Sequence, residues 1–300
     1  MIEIANAPCS WGVLEFEAKT QSPGYEQVLD EIAQTGYVGT ELGDWGFMPS
    51  DPGRLRDELA GRRLAMVGAF VTTRLVDSRS YGATRERAVA TGRLLAAVAQ
   101  EPPPVIVLSD EPTADPHRAG AAGRVTSALG FPDDWWDTVA AGVEDIARAV
   151  RDEVGLRSVF HHHCATFVET PREIESLMKR TDPDLVGLCL DTGHATYGGG
   201  SPADLLKQFR ERIWHVHFKD CDPRVAAQAR AEKWDYQTAL RHGLFCELGK
   251  GSVDFASLLR DLENTDYDGW IVVEQDVLPA MGAPLDSARR NRQYLRTIGI

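Results

Sequence analysis

Val186-Gly187-Leu188-Cys189-Leu190-Asp191-Thr192-Gly193-His194 decides how this chain is built. Val186 to Leu190 is apolar or small throughout, as expected of a strand buried on both faces. It stops at an acid, Asp191. Upstream, Thr170 caps a helix predicted over 171–179, with Glu173 at the reciprocal capping position. Downstream, Ser201 caps a helix over 202–212, and the next strand runs from Ile213 to Phe218. Strand, helix and strand in this order form the repeating unit of a parallel sheet.

The pattern continues in both directions. Strands are predicted over 2–7, 37–42, 64–70, 105–108 and 157–161, and again over 270–274. Helices are predicted over 25–35, 51–63, 85–100, 135–153, 253–263 and 287–297, with Asp133 or Asp134 capping the one over 135–153. Residues 109–134 read as loop, and residues 222–250 as an inserted helical stretch with a loop. Eight strand–helix units in 300 residues is the count of a closed (β/α)8 TIM barrel, taken as one domain over 1–300. An open doubly wound sheet is disfavoured, because no GxGxxG follows the first strand and no GxxxxGK[ST] occurs.

Lys and Arg number 32 against 45 Asp and Glu, a net charge of −13. Such a surface repels phosphate backbones and anionic lipid, so neither nucleic acid nor membrane is an expected partner. The 5 cysteines are widely spaced without a CxxC, which points to a reducing compartment. With no leader-like N-terminus and no apolar run near membrane-spanning length, the cytoplasm is the expected location.

Chemistry in a barrel of this kind sits where strands end. The second strand ends at Glu41, and the fourth runs into Asp110 and Glu111. The fifth ends in His161-His162-His163, and the sixth at Asp191 with His194 after it. The seventh carries His215 and His217 and then Lys219. The eighth ends at Glu274. Six of the 8 histidines fall at these ends. Alternation places His161 with His163, and His215 with His217, on shared faces. His161, Asp191, His217 and Glu274 then offer two imidazoles and two carboxylates from four consecutive strands. That set suits Mn2+, Co2+, Fe2+ or Zn2+ better than Ca2+ or Mg2+. Read one at a time, Asp191 is equally a helix cap and His215 equally a core histidine. Glu274, after Ile271-Val272-Val273, would be costly if buried without a partner. Trp11 and Trp45 follow the first two strands and are candidate walls of a small-molecule pocket, or core.

Phe160-His161-His162-His163 with Thr166 and Glu169-Thr170, Leu190-Asp191-Thr192-Gly193-His194, His215-Val216-His217-Phe218-Lys219-Asp220 and Gly269-Trp270-Ile271-Val272-Val273-Glu274-Gln275-Asp276 resemble the xylose-isomerase-like sugar isomerase/epimerase superfamily. Within it they are similar to the inosose dehydratases. The resemblance spans nearly the whole chain. It implies one divalent metal, usually Mn2+ or Co2+, on Asp191, His217, Glu274 and a histidine of the fifth strand, His161 or its rival His163. It implies a lyase that dehydrates a keto-polyol such as scyllo-inosose through a metal-stabilised enolate. The alternative is a sugar or keto-polyol isomerase or epimerase that uses the same site without losing water. Lys219 is the expected base or acid, with His194 as its rival. Glu41 is expected to bind hydroxyls or protonate the leaving water. Glu111, His163, His215, Trp11 and Trp45 are the expected substrate contacts. Departures at Cys164-Ala165-Thr166 and Glu274-Gln275-Asp276 fall in the pocket lining and bear on the substrate. Such barrels often form dimers or tetramers, so a homo-oligomer is an expectation by analogy.

Overall fold

The computed structural model describes residues 2–13, 23–265, 267–278 and 282–300. The strands in chain order are β1 (Glu3–Asn6), β2 (Gly39–Glu41), β3 (Ala65–Thr73), β4 (Val105–Asp110), β5 (Arg157–His161), β6 (Val186–Asp191), β7 (Ile213–Phe218), β8 (Asp220–Cys221), β9 (Phe245–Cys246) and β10 (Trp270–Val273). Eight of them close a parallel barrel in the order β1-β10-β7-β6-β5-β4-β3-β2. The other two, β8 and β9, pair antiparallel within the insertion. The chain has the (β/α)8 fold.

Helices wrap the outside and bury one stripe each against the strands. Val28, Leu29 and Ile32 of helix Tyr25–Thr35 are fully buried, and Gly36 ends that helix at φ 89°, a conformation that favours glycine. Thr170 and Glu173 form the expected reciprocal cap.

Inside the barrel the floor is small and apolar. Val105, Val107, Val159 and Cys189 make one cluster, and Ala5, Ala7, Ala65, Val67, Trp270 and Val272 another. One layer higher on the same strands stand His161, Asp191, His217 and Glu274. The register brings Asp191 beside His217, while irregularities in β2 after Thr40 and in β6 after Leu188 shift the local pairing.

Some elements differ from the sequence reading. Residues 109–134 contain a helix, Pro116–Ala121, started by an Asp115 cap and a proline in its first turn. The helix expected from 85 starts at Tyr81, because a 3-10 turn over Ser78–Ser80 feeds it. Helix Asp133–Val154 is preceded by Pro132 and has no side-chain cap; Asp133 and Asp134 lie in its first turn instead, where they complement the helix dipole. Asp191 leads directly into a short helix, Thr192–Tyr197. The insertion holds two helices, Pro223–Glu232 and Tyr236–Arg241. No helix among the described residues is long and apolar enough to cross a membrane.

Candidate metal centre

The four side chains at the ends of β5, β6, β7 and β10 converge. His161, Asp191, His217 and Glu274 each offer a ligand atom within 4.8 Å of the others. His161 Nε2 lies 3.5 Å from Asp191 Oδ2, and its Nδ1 has no hydrogen-bond partner. His217 is the better defined of the two imidazoles. Its Nε2 donates to Glu41 Oε1 at 3.0 Å. Its Nδ1 lies 3.3 Å from Glu274 Oε2 without forming a hydrogen bond. An imidazole that gives its N–H to a carboxylate behind it and turns its other nitrogen into a cluster is arranged as a metal ligand.

Charge supports the same reading. Burial drives the carboxyls of Asp191 and Glu274 towards the neutral form. The Lys219 ammonium and the surrounding imidazoles overcome it and hold both below the ordinary carboxylate range. Asp276 and Glu41 add two more buried carboxyls. Lys219 is the one lysine or arginine within ion-pair reach of these groups among the described residues. A low-dielectric site with this excess of acid fits a divalent cation.

Asp191 divides its oxygens between two tasks. Oδ1 accepts the His194 backbone N–H at 2.7 Å and caps the helix that follows, while Oδ2 faces His161 and Lys219. Cap and ligand, rivals in the sequence, are therefore compatible on one carboxylate.

Lys219 Nζ stands at the centre of this face, 3.0 Å from Glu274, 3.1 Å from Asp276, 3.5 Å from Asp191 and 3.1 Å from His194 Nε2. Two pulls act on it. Burial lowers its proton affinity, but the three carboxylates outweigh burial and raise it above the ordinary lysine value. His194 pulls the other way. Burial keeps that imidazole neutral, and the Cys164 backbone N–H points at its Nδ1 at 3.2 Å. The single ring hydrogen then lies on Nε2, facing Nζ, which favours a free amine. Opposed pulls on one nitrogen suit a general base, which must release its proton before it can take another.

The remaining candidates divide by location. His163 lines the inner chamber with His161, Lys219 and Glu274; its ring centroid lies 3.8 Å from that of His194. His215 bonds Glu41 Oε1 at 2.8 Å, outside the chamber lining. Glu41 receives both β7 histidines. Burial raises its carboxyl, but the two imidazoles prevail and bring it down to about 2. An ionised carboxylate accepts hydrogen bonds, and Glu41 accepts from both β7 histidines while it also lines the chamber. Trp11 is 2% exposed, belongs to the main apolar core and donates to Glu31 at 2.6 Å. It is core rather than pocket wall, because the 3-10 turn over Pro8–Trp11 rolls it outward. Trp45 and Glu111 lie on a wider outer groove, where Glu111 pairs with Arg74 at 2.6 Å.

A family model described as xylose isomerase-like TIM barrel matches residues 74–298. An inosose dehydratase of Lacticaseibacillus casei is 33% identical over 302 residues, covering 98% of this chain and 96% of its own length. One from Geobacillus kaustophilus is 32% identical over 292 residues, covering 97% and 93%. The chain belongs to the xylose isomerase-like TIM-barrel family. Solved structures agree on the fold alone. The IOLI protein with a bound zinc atom superposes with a TM-score of 0.69 at 13% identity, covering 99% and 98% of the two chains. The probable 3-DHS dehydratase AsbF of Bacillus anthracis gives 0.67 at 15%, covering 99% of each.

In this xylose isomerase-like barrel, several residues act at the mouth without having been picked out as site residues from sequence. Asp276 holds Lys219, and Tyr236 of the insertion reaches Asp276 at 3.4 Å. Cys9, Phe70 and Pro112 line the chamber. Asp110 accepts the N–H groups of Leu75 and Phe167. Glu169 accepts those of Gly123 and Ala165 at 2.6 and 2.7 Å. Asp276 left a usable signal, the same-face spacing of two from Glu274, and Asp110 another, the end of β4. Glu169 and Pro112 reach the mouth from loops, Phe70 from β3 and Tyr236 from a helix of the insertion.

Proposed function

We propose that this chain is an inosose dehydratase, a lyase that removes water from a keto-polyol such as scyllo-inosose. A divalent cation would be held by His161, Asp191, His217 and Glu274. The observation that carries this reading is His217, tied through Nε2 to Glu41 with Nδ1 turned into a cluster of two carboxylates and a second histidine. Relatives named inosose dehydratase at 30–33% identity over nearly the full chain support the substrate class. Mn2+ and Co2+ are the first choices for this mixed nitrogen and oxygen set, with Zn2+ and Fe2+ next. When bound, the cation supplies Lewis-acid polarisation of the ketone oxygen.

The chain's own groups supply the rest. Lys219 Nζ, with His194 Nε2 behind it, takes the proton from the carbon beside the ketone. The same pair returns that proton to the hydroxyl on the next carbon. One C–H and one C–O bond break, water leaves, and no electron acceptor is required. Glu41 keeps His217 in one orientation, Asp276 keeps Lys219 in place, and His163 bonds a ring hydroxyl. Cys9, Phe70 and Pro112 supply part of the chamber wall. The unpaired cysteines suit work in a reducing cytoplasm.

The test is turnover of scyllo-inosose by purified protein, with metal content measured on the same sample. Appearance of an ultraviolet-absorbing dehydrated product, its loss on chelation and its return with Mn2+ or Co2+ are expected. A stoichiometric metal with isomerised but hydrated product would replace the lyase by an isomerase.

A further inference from the structure

The chamber over the His161, Asp191, His217 and Glu274 cluster is small, about 80 Å3, and lies beside a groove of about 1140 Å3. Asp44, Phe70 and Pro112 line both, so the two adjoin. The inner chamber alone lies below the roughly 300–1,000 Å3 usual for a small-ligand site. A ring whose ketone reaches the cluster must therefore project its far side into the groove.

The groove's walls have a definite chemistry. Trp45 is 53% exposed, one of the three most exposed large apolar side chains among the described residues. Beside it, Arg74 Nε pairs with Glu111 Oε2 at 2.6 Å, and among the described residues neither the Arg74 terminal nitrogens nor Glu111 Oε1 makes a hydrogen bond. An indole face suits the C–H face of a pyranose ring. A planar guanidinium beside a planar carboxylate offers paired donors and acceptors to vicinal hydroxyls. Because Arg74 and Glu111 neutralise each other, neither a phosphate nor an ammonium group is favoured there.

We infer that the groove is a second subsite for an uncharged hydroxylated ring, so that the preferred substrate is a keto-polyol carrying a sugar through an O-glycosidic link. The inference rests on the keto-polyol reading of the inner chamber.

Two probes that lack the ketone, and so are not turned over, test it: myo-inositol and an O-glucosyl inositol, each titrated calorimetrically into the metal-loaded protein. The glucoside is expected to bind about tenfold tighter. That ratio should fall below about threefold in Trp45→Ala. The readout compares two affinities within one protein, so damage common to both ligands cancels. Equal affinities, a ratio that survives Trp45→Ala, or no binding of either probe overturns the inference. So does a Trp45→Ala protein that keeps the ratio but changes its sedimenting mass, which would assign Trp45 to a subunit contact. Turnover of scyllo-inosose on the same preparation reads the dehydratase proposal separately. If turnover is absent while the glucoside preference holds, the subsite stands and the reaction must be reassigned.

Discussion

Two sets of buried carboxylates surround the barrel mouth, and they behave in opposite ways. Glu41, Asp191 and Glu274 at the centre are held ionised below the ordinary range, Glu41 at about 2. Asp110 and Glu169, in the collar around them, are pushed up by burial to about 6 and about 7. Burial is similar in both sets. What differs is the company: imidazoles face Glu41, Asp191 and Glu274, and chiefly backbone N–H groups face the collar acids; Asp276, which meets the Lys219 ammonium without an imidazole, is raised by burial like the collar. Arg118 attracts both collar acids only from a distance and is itself bonded to Glu173, a third acid that adds to the rise at Glu169. Charge at the centre is arranged to be used. In the collar, carboxylates serve as hydrogen-bond acceptors that pin loops.

The largest effect that would break this contrast lies at the centre. Asp191→Asn keeps an oxygen for the His194 cap and removes the charge. Loss of bound metal by elemental analysis is expected, with a fall in turnover of about 10^3-fold. Retained metal and turnover would mean that the charge at 191 does not matter. Next, Glu41→Gln leaves the ligands in place and weakens the group that orients His217. Metal affinity by competition titration should drop about 10- to 100-fold.

The collar should respond in stability instead. Glu169→Gln has one oxygen where Glu169 uses two, so the Gly123 or the Ala165 N–H loses its acceptor, at a cost of about 1–3 kcal/mol. Its pH dependence has a definite sign. The folded value, about 7, is raised above the ordinary 4.5, so the native state holds the proton more tightly than the unfolded chain. This stabilising contribution is complete below about pH 4.5 and is lost as pH rises through 7. The melting-temperature gap between wild type and Glu169→Gln should therefore narrow from pH 5 to 8. A gap that widens with pH would reverse the assignment. As a surface baseline, Arg93→Ala breaks an exposed pair with Glu153 and should move the melting temperature by less than about 2 °C.

Much of the centre was readable in the chain because strand alternation is strict. An acid or imidazole two residues beyond an inward apolar residue, as His161 follows Val159 and Glu274 follows Val272, has to face inward too. Strands over 157–161 and 213–218 have the predicted bounds, and so has helix 25–35, set by the stripe of Val28, Leu29 and Ile32 and by Gly36. What escaped depends on closure. Glu41 meets His215 and His217 across 174 and 176 residues, a contact made only when β2 and β7 face each other through the barrel. Trp11 and Trp45 look alike in sequence. A 3-10 turn sends one into the core, and the turn after β2 leaves the other in the open. Asp110 and Glu169 stand out in the sequence but their roles do not, because their partners are backbone groups of loops.

One detail at the centre has a spectroscopic consequence. Asp191 presents one oxygen to the cluster and the other to the His194 amide. Occupancy of the centre and closure of the first turn of helix Thr192–Tyr197 are therefore mechanically joined. Whatever immobilises that carboxylate should slow deuterium uptake at a single backbone position. The amide of His194 becomes a native reporter of whether the barrel is loaded, readable without label or substrate.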